Sequence, residues 1–397
     1  MKPLLLSHFT AVTCLGHGID ANLAALRAGR SGLAPCRFET VDLDTFVGEV
    51  AGIDGLELRP DLSAFDCRNN RLAQLALGQD GLGEAVDEAA RRHGRGRVGV
   101  FIGTSTSGIL ETELAYRRRD PETGELPRDF RYATTHNVYS IAAFVRRYCA
   151  LRGPAFVVSV ACASSAKVFG NAWRLIEAGL IDAALVGGVD SLCLTTLYGF
   201  NSLQLVSRTP CRPFDQDRDG ISIGEAAAFA LLTRAPDSLD PAAVLLLGTG
   251  ESSDAYHMSS PHPEGLGARL AMEQALASAG LEPGAIDYLN LHGTATPSND
   301  AAEGRAVADL FGATLPCSST KGATGHALGA AGAVEAVLCT LALREGFLPG
   351  GVGTRTPDPE IGIHYLRQNL DRPPRRILSN SFGFGGSNCS LVLGRAA

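Results

Sequence analysis

The sequence lacks an excess of basic residues and a long apolar run, and each absence excludes a class of protein. Its 35 lysines and arginines are outnumbered by 42 acidic residues, and the formal charge of −7 argues against a nucleic-acid-binding protein. No run approaches the roughly 18 apolar residues of a membrane span, and the apolar stretch near the start is too short for a signal peptide. We therefore expect a cytoplasmic protein without membrane insertion.

Motifs for the common metals and nucleotide cofactors are also missing. The ten cysteines are scattered, with no C-x-x-C pair, and neither a Walker A motif nor H-E-x-x-H occurs. His257 and His262 are close in sequence but have no carboxylate third ligand at a usual spacing. We expect no metal site, and we expect most cysteines to be reduced and buried.

The composition that is present describes a well-packed chain. Apolar residues make up 45% and charged residues 19%, and short apolar runs alternate with longer amphipathic ones, which is typical of α/β domains with parallel strands. The best internal break is the polar, proline-flanked segment 233–241. It predicts a first half at 1–240 and a second at 241–397.

Each half contains a strand, a turn of small residues and an amphipathic helix. In the first half, the strand at 156–160 leads into Ala-Cys-Ala-Ser-Ser at 161–165, and apolar residues then recur every three or four positions. In the second half, a strand at 315–319 leads through 320–326 into a helix closed by Gly346. The two units look like copies of one design.

Three residues stand where such units place ligands. Cys162 follows a strand that we expect to be buried, at a helix N-terminus whose partial positive charge favours thiolate; the alternative is a buried structural cysteine. His292 follows an apolar strand at a glycine-rich loop, where open α/β sheets bind ligands, although a structural role fits it equally well. His326 lies near a helix N-terminus, where the dipole disfavours imidazolium.

Five segments together resemble a known family, in order and spacing. They are 158–165 (Val-Ser-Val-Ala-Cys-Ala-Ser-Ser), 215–220 (Asp-Gln-Asp-Arg-Asp-Gly), 292–297 (His-Gly-Thr-Ala-Thr-Pro), 321–326 (Lys-Gly-Ala-Thr-Gly-His) and 380–388 (Asn-Ser-Phe-Gly-Phe-Gly-Gly-Ser-Asn). The family is that of the β-ketoacyl-[acyl-carrier-protein] synthases of the KAS I/II type. The resemblance implies a thiolase-like, five-layered αβαβα fold of two pseudo-repeated halves.

The resemblance also implies a Cys-His-His site. Cys162 would be the nucleophile that takes an acyl chain, and His292 and His326 would stabilise the enolate left when malonyl carrier protein loses CO₂. Lys321 and Glu303 would form a buried pair that holds the histidine loops. The amides of Cys162 and Phe384 would form the oxyanion hole.

Further residues match substrate-binding positions of the family. Thr294 and Thr296 correspond to threonines that bind the phosphopantetheine arm, and Phe384 to an aromatic gate beside the substrate-binding Phe382. Thr106 falls where relatives limit acyl-chain entry. The substrates arrive on carrier-protein phosphopantetheine, so we expect no cofactor.

An acyl carrier protein is the implied partner, and an acidic carrier needs local basic residues on this acidic chain. The candidates for docking are Arg68, Arg71, Arg117, Arg118 and Arg208. Solvated arginines without a partner are the alternative. The resemblance implies a homodimer, with a heterodimer containing a ketosynthase-like partner as the other arrangement.

We therefore expect a 3-oxoacyl-[acyl-carrier-protein] synthase acting in fatty-acid or polyketide chain elongation. One alternative is a non-catalytic chain-length partner subunit, but such subunits lack the nucleophilic cysteine. The other is a KAS III-like starter acyltransferase, in which asparagine replaces one histidine. Segments 166–169 and 190–200 favour a specialised pathway of the aryl polyene type.

Overall fold

The computed structural model describes residues 1–396, and one large sheet runs through both halves of the chain. The strands are β1 (Leu4–Thr13), β2 (Gly16–His17), β3 (Ala34–Pro35), β4 (Phe46–Gly48), β5 (Val98–Gly103), β6 (Ala155–Val158), β7 (Ala183–Asp190), β8 (Ile223–Gly224), β9 (Ala226–Arg234), β10 (Val244–Ser253), β11 (Tyr288–Asn290), β12 (Pro316–Ser318), β13 (His364–Tyr365), β14 (Arg376–Gly383) and β15 (Ser387–Arg395). Strands β3, β4 and β8 form a separate small sheet.

Helices connect most of these strands. They are α1 (Ile19–Arg27), α2 (Arg68–Leu77), α3 (Leu82–His93), α4 (Ile109–Arg117), α5 (Ser140–Tyr148), α6 (Ser164–Glu177), α7 (Leu194–Ser202), α8 (Leu266–Ala279), α9 (Pro297–Phe311), α10 (Lys321–Thr324) and α11 (Ala331–Glu345). Short 3₁₀ turns lie at Pro60–Phe65, Tyr132–Thr134, Pro283–Ala285 and Leu328–Ala330. Among residues 1–396, no helix has both the length and the apolar character needed to cross a membrane.

The strand order repeats between the halves. In the first half β1, β9, β7, β5 and β6 lie side by side, and in the second half β10, β15, β14, β11 and β12 do so. In each set the first two pairings are antiparallel and the last two parallel. The halves join where β1 pairs with β10. The predicted pseudo-repeat is confirmed, whereas a domain boundary at residue 240 stays a prediction.

Helices cover both faces of each half of the sheet, so the predicted αβαβα layering is confirmed. Along β5, Val98, Val100 and Ile102 pack with α2, α3 and α5 on one face, while Phe101 packs toward α6 and α11 on the other. Helices α8 and α9 cover the outer face of the second half. The middle layer therefore consists of the two helices that follow the small-residue turns.

The sequence predicts an amphipathic helix in the second half, but α11 is buried nearly all round. Thirteen of its fifteen residues are buried, because sheet lies on both sides of it. The helix ends before Gly346, whose φ of +70° requires the freedom of glycine. The predicted end is therefore confirmed.

The strand before Cys162 was expected to be buried, and this expectation is wrong. β6 is the last strand of the large sheet, and Phe156 at its centre is 48% exposed. The strand is apolar although it forms an edge of the sheet, and a single chain leaves this edge uncovered.

Candidate active site

Cys162 lies in the turn between β6 and α6. Ala161 adopts a φ of +53°, which is uncommon for a residue with a side chain and makes the turn sharp. The hydroxyl of Ser164, in the first turn of α6, accepts the Val160 N–H at 2.9 Å and stabilises this turn. The thiol is buried, with 6% of the residue exposed, yet it lines a cavity open to solvent.

His292 is held by a carboxylate on the following helix. The N–H groups of His292 and Gly293 donate to Glu303 of α9 at 2.7 and 2.8 Å, and Nδ2 of Asn380 donates to the same carboxylate at 3.1 Å. Because three donors compensate the buried charge, Glu303 can fix the loop that follows β11. Burial still raises the pKa of Glu303 to about 7.

His326 lies against the thiol. Its Nε2 is 3.0 Å from Sγ of Cys162, and its ring meets the ring of His292 edge to face with centroids 5.3 Å apart. The backbone of His326 donates to Ser222 O at 2.8 Å and accepts from Gly224 N at 3.0 Å. The sulfur and the two imidazoles therefore share one buried space.

Lys321 has a different partner from the one expected. Its ammonium group donates to the carboxylate of Glu335, in the middle of α11, and to the backbone carbonyl of His292. It also lies 3.4 Å from Nδ1 of His292. The predicted Lys321–Glu303 pair is wrong, because Glu303 is occupied by backbone amides of the histidine loop.

The sequence analysis missed Glu335, although the sequence contains a signal for it. Glu335 is a lone acidic residue amid the apolar residues of segment 331–343, which is too apolar for a solvent-exposed helix. An ionised side chain in such a segment needs a buried partner, and Lys321 supplies it.

Burial controls the protonation of all three reacting groups. Burial, and then the charge of Lys321, hold the pKa of His292 and of His326 well below the usual range, so both imidazoles are neutral at pH 7. Burial raises the pKa of Cys162 to about 12, although Lys321 opposes the shift. The resting group is therefore a thiol, and the expectation that the helix N-terminus favours thiolate is not met.

The turn between β14 and β15 brings an amide to the sulfur. The N–H of Phe384 hydrogen-bonds Cys162, and this contact also opposes the rise in the thiol pKa. Gly385 and Gly386 follow with φ values of +82° and +75°. Their conformational freedom allows the tight turn that points the Phe384 amide inward.

A cavity leads from solvent to the thiol. Thr294 and Thr296 line it, with their hydroxyls 2.9 Å apart, as do Phe382 and Phe384. Phe200 of α7 also lines it, with its ring centroid 5.5 Å from that of Phe384, and no sequence pattern singled it out.

Thr106 does not line this cavity. It is buried, and its hydroxyl donates to Asp190 at 2.8 Å. Its N–H donates to the same carboxylate at 2.9 Å. The carboxylate of Asp190, at the end of β7, therefore holds the loop after β5.

Arg68 is not available to an acidic partner, so its predicted docking role is wrong. It is 6% exposed, and its guanidinium donates twice to the fully buried Glu225, at 2.8 and 2.7 Å, with Glu49 and Asp54 also in contact. Arg71 is half-buried and paired with Asp66.

The other three candidate docking residues are exposed. Arg117 donates to a hydroxyl of Thr40, and Arg118 pairs with Asp129. Arg208 lies three residues after Leu205, which lines the cavity.

The donor atoms of Cys162, His292 and His326 lie within 4.8 Å of one another, a spacing that a metal ion could also bridge. The Lys321 ammonium lies beside His292, however, so the site already holds a positive charge that would repel a metal cation. The absence of a metal site stays a prediction.

Comparisons with known proteins cover nearly the whole chain. Residues 9–238 match the N-terminal domain of the β-ketoacyl synthases, and residues 243–354 match their C-terminal domain. The 3-oxoacyl-[acyl-carrier-protein] synthase 2 of Synechocystis sp. is 31% identical, over 98% of this chain and 97% of that protein. The mitochondrial 3-oxoacyl-[acyl-carrier-protein] synthase of Arabidopsis thaliana is 32% identical, over 96% of this chain and 90% of that protein.

A solved structure is also closely similar. The ketosynthase ApeO of Xenorhabdus doucetiae, in complex with its chain length factor ApeC, superposes with a TM-score of 0.87. The sequence identity is 41%, and the match covers 100% of this chain and 98% of that chain.

Proposed function

The chain belongs to the β-ketoacyl synthase family, and from this premise we propose the part that each residue of its Cys-His-His site plays. The protein is a condensing acyltransferase, a 3-oxoacyl-[acyl-carrier-protein] synthase. It joins a cysteine-bound acyl chain to malonyl carrier protein, with loss of CO₂. The single observation that carries the residue assignment is the 3.0 Å contact between Nε2 of His326 and Sγ of Cys162.

In the first half-reaction, the sulfur of Cys162 attacks the carbonyl carbon of an acyl thioester. Because the thiol is protonated at rest, attack requires a base, and neutral His326 is in hydrogen-bond contact with the sulfur. The tetrahedral oxyanion accepts hydrogen bonds from the amides of Cys162 and Phe384. Collapse breaks the bond to the pantetheine sulfur, which leaves with the proton.

In the second half-reaction, the C–C bond to the malonyl carboxylate breaks and CO₂ leaves. The electron pair forms an enolate on the thioester oxygen. This oxygen accepts a hydrogen bond from Nε2–H of His292 and, once the ring proton of His326 has moved from Nδ1 to Nε2, a second one from His326. The enolate carbon then attacks the acyl carbonyl, the bond to Cys162 breaks, and the thiolate regains a proton. The product is 3-oxoacyl carrier protein.

Lys321 sets the tautomer of His292. An ammonium group carries only donors, so Nδ1 of His292 at 3.4 Å must act as the acceptor. The ring proton then resides on Nε2, where an oxyanion needs a donor. Glu335 neutralises the charge of Lys321, which limits its cost in the interior.

The cavity suits a pantetheine arm. Thr294 and Thr296 offer hydroxyls along the wall, which match the amides of pantetheine, and the aromatic rings of Phe382 and Phe384 border the path to the thiol. The exposed cations that we assign to carrier docking are Arg117, Arg118 and Arg208. No cofactor enters this scheme, and a cytoplasmic location stays a prediction.

A partner chain is proposed to cover the edge strand β6. Its centre exposes Phe156, and an open apolar edge favours pairing with another strand. The ApeO complex, at 41% identity, supports a ketosynthase-like partner, so we favour a heterodimer over the homodimer. A specialised aryl polyene pathway remains a prediction from the sequence.

The alternatives fit less well. A chain-length subunit needs no nucleophile, yet this chain directs an imidazole to Cys162. A KAS III-like starter enzyme has asparagine in place of one histidine, yet both histidines are present and lie together.

Mass spectrometry after incubation with acyl carrier protein tests the assignment. We expect one acyl adduct, absent in Cys162→Ala and retained in Cys339→Ala, which removes a buried thiol of α11. An adduct that persists in Cys162→Ala would overturn the nucleophile.

A further inference from the structure

A buried carboxylate that takes no part in the proposed chemistry lies behind His326. Asp190 ends β7 and is fully buried. In the part of the chain that the structure describes, it forms no ion pair. A buried carboxylate without a cation must be stabilised by hydrogen bonds.

The donors to Asp190 come from two separate segments. From the loop after β5 it accepts the hydroxyl of Thr104 at 2.6 Å, the amide of Ser105 at 2.8 Å, and both the amide and the hydroxyl of Thr106. From the 3₁₀ turn after His326 it accepts the amide of Gly329 at 2.5 Å. Asp190 therefore joins the two segments.

The joined segments are tightly packed and strained. A Cβ added to Gly329 would lie 2.7 Å from the Ser105 nitrogen and 2.8 Å from Oδ2 of Asp190. Leu328, two residues after His326, has a φ of +49°, a conformation that leucine rarely adopts. Surrounding contacts must hold such a turn, and the Gly329–Asp190 hydrogen bond is one of them.

The ring of His326 depends on this backbone. Its Nε2 faces Cys162, while its buried Nδ1 has no hydrogen-bond partner among residues 1–396. A catalytic histidine is ordinarily oriented by a group bonded to its other ring nitrogen. In this protein the backbone contacts of the segment that contains His326 must orient the ring. They include the hydrogen bonds of His326 with Ser222 and Gly224.

We infer that Asp190 is a positioning residue for the condensation step, which holds the 328–330 turn so that Nε2 of His326 faces the sulfur of Cys162. The inference rests on the proposed role of His326. Asp190 itself touches neither the substrate nor the reacting atoms.

The test compares Asp190→Asn with a matched control. Asp215 is also buried and accepts loop amides, from Asp217, Arg355 and Thr356, without contacting the histidines. In Asp190→Asn an amide N–H₂ replaces an acceptor oxygen, so either the Gly329 amide or the donors of the loop after β5 lose their acceptor. Asp215→Asn removes a comparable buried carboxylate elsewhere in the fold.

We expect Asp190→Asn to lower kcat for CO₂ release by up to about 100-fold, the loss typical of a misplaced catalytic group, with the KM for malonyl carrier protein unchanged. Asp215→Asn should lower the melting temperature comparably but leave kcat within about twofold. Equal kcat in the two variants would show that Asp190 is merely structural and would overturn the inference.

Two further variants keep the outcome decisive. If Asp190→Asn does not fold, Gly329→Ala perturbs the same contact by adding a methyl group against Ser105, and it should show the same fall in kcat at unchanged KM. His326→Ala is measured in parallel. Normal CO₂ release in His326→Ala would refute the proposed role of His326, whereas impaired release there with normal release in Asp190→Asn and Gly329→Ala would refute only the role of Asp190.

Discussion

The ammonium group of Lys321 is buried against the carboxylate of Glu335, a residue of the helix that fills the middle of the molecule. The Lys321 ammonium also lies beside Nδ1 of His292. Its positive charge is neutralised by Glu335, and it orients the imidazole of His292. The Lys321–Glu335 pair therefore contributes both to the stability of the fold and to catalysis, and the two contributions can be measured separately.

Replacing Glu335 by Gln should destabilise the fold strongly. The substitution leaves the Lys321 charge buried without a counterion, and breaking such a pair costs about 3–5 kcal/mol. Urea unfolding should detect the loss. Glu273→Gln removes an exposed helical pair with Arg269 and should cost less than about 1 kcal/mol. A loss for Glu335→Gln as small as the control would contradict the buried pairing.

The two histidines should separate the half-reactions. Each donor to a developing oxyanion is worth about 100- to 1,000-fold in rate, so His292→Ala and His326→Ala should lose CO₂ release by that factor. His292→Ala should retain acyl loading of Cys162, whereas His326→Ala, which also removes the base, should retain only part of it. His364→Ala, on the exposed strand β13, serves as the control. Normal decarboxylation in both active-site variants would exclude the enolate role.

Condensation should not lose rate as the pH falls from 8 to 6. Burial and Lys321 keep the pKa of both histidines well below the ordinary value of about 6.5, so the imidazolium forms stay unpopulated in this window. The rate of CO₂ release at saturating substrate measures this. Because burial raises the pKa of Glu303 to about 7, an acid limb near pH 6.5 would mean that the histidines titrate normally only if it persisted in Glu303→Gln.

The same pKa shifts have a defined sign for folding. In the unfolded chain the two imidazoles titrate near 6.5 and bind more protons below that pH than they do when buried. Their burial therefore lowers stability on the acid side of pH 6.5 and has no effect above it. Activity profiles should accordingly be paired with a check that the protein stays folded.

Arg208→Glu should weaken carrier binding without changing the chemistry. A charge reversal at an exposed docking residue should raise the KM for carrier-bound substrates by about 3- to 10-fold. Small pantetheine thioesters, which carry no protein to dock, should be used with unchanged kcat and KM. Arg92→Glu, on the exposed end of α3, is the matched control. Equal effects of the two charge reversals on the KM would show that Arg208 is not part of the docking surface.

Much of the site could be predicted because local sequence determines it. The turns at 161–165 and 320–326 predict a strand, a turn and a helix in each half, which made Cys162 and His326 candidates. Their roles, and that of His292, followed from the resemblance of five segments to one family. Partners were harder to predict. The choice of Glu335 over Glu303 depends on how α11 packs between the sheets, a contact between segments that no local pattern encodes.

Exposure was also poorly predicted, for a similar reason. Arg68 begins a polar stretch of sequence, yet it is buried and paired with Glu225, which lies between β8 and β9. The apolar strand β6 looks like a core element, yet it forms the border of the sheet. Both errors arise because burial is a property of the assembled layers.

The duplicated strand order has a chemical consequence. The first copy supplies the sulfur and the second supplies both imidazoles and the lysine, so neither copy alone holds a working set of groups. A truncation that preserved one well-folded copy would retain no residual turnover. The packing of the two copies against each other is therefore as necessary for activity as the fold of either one.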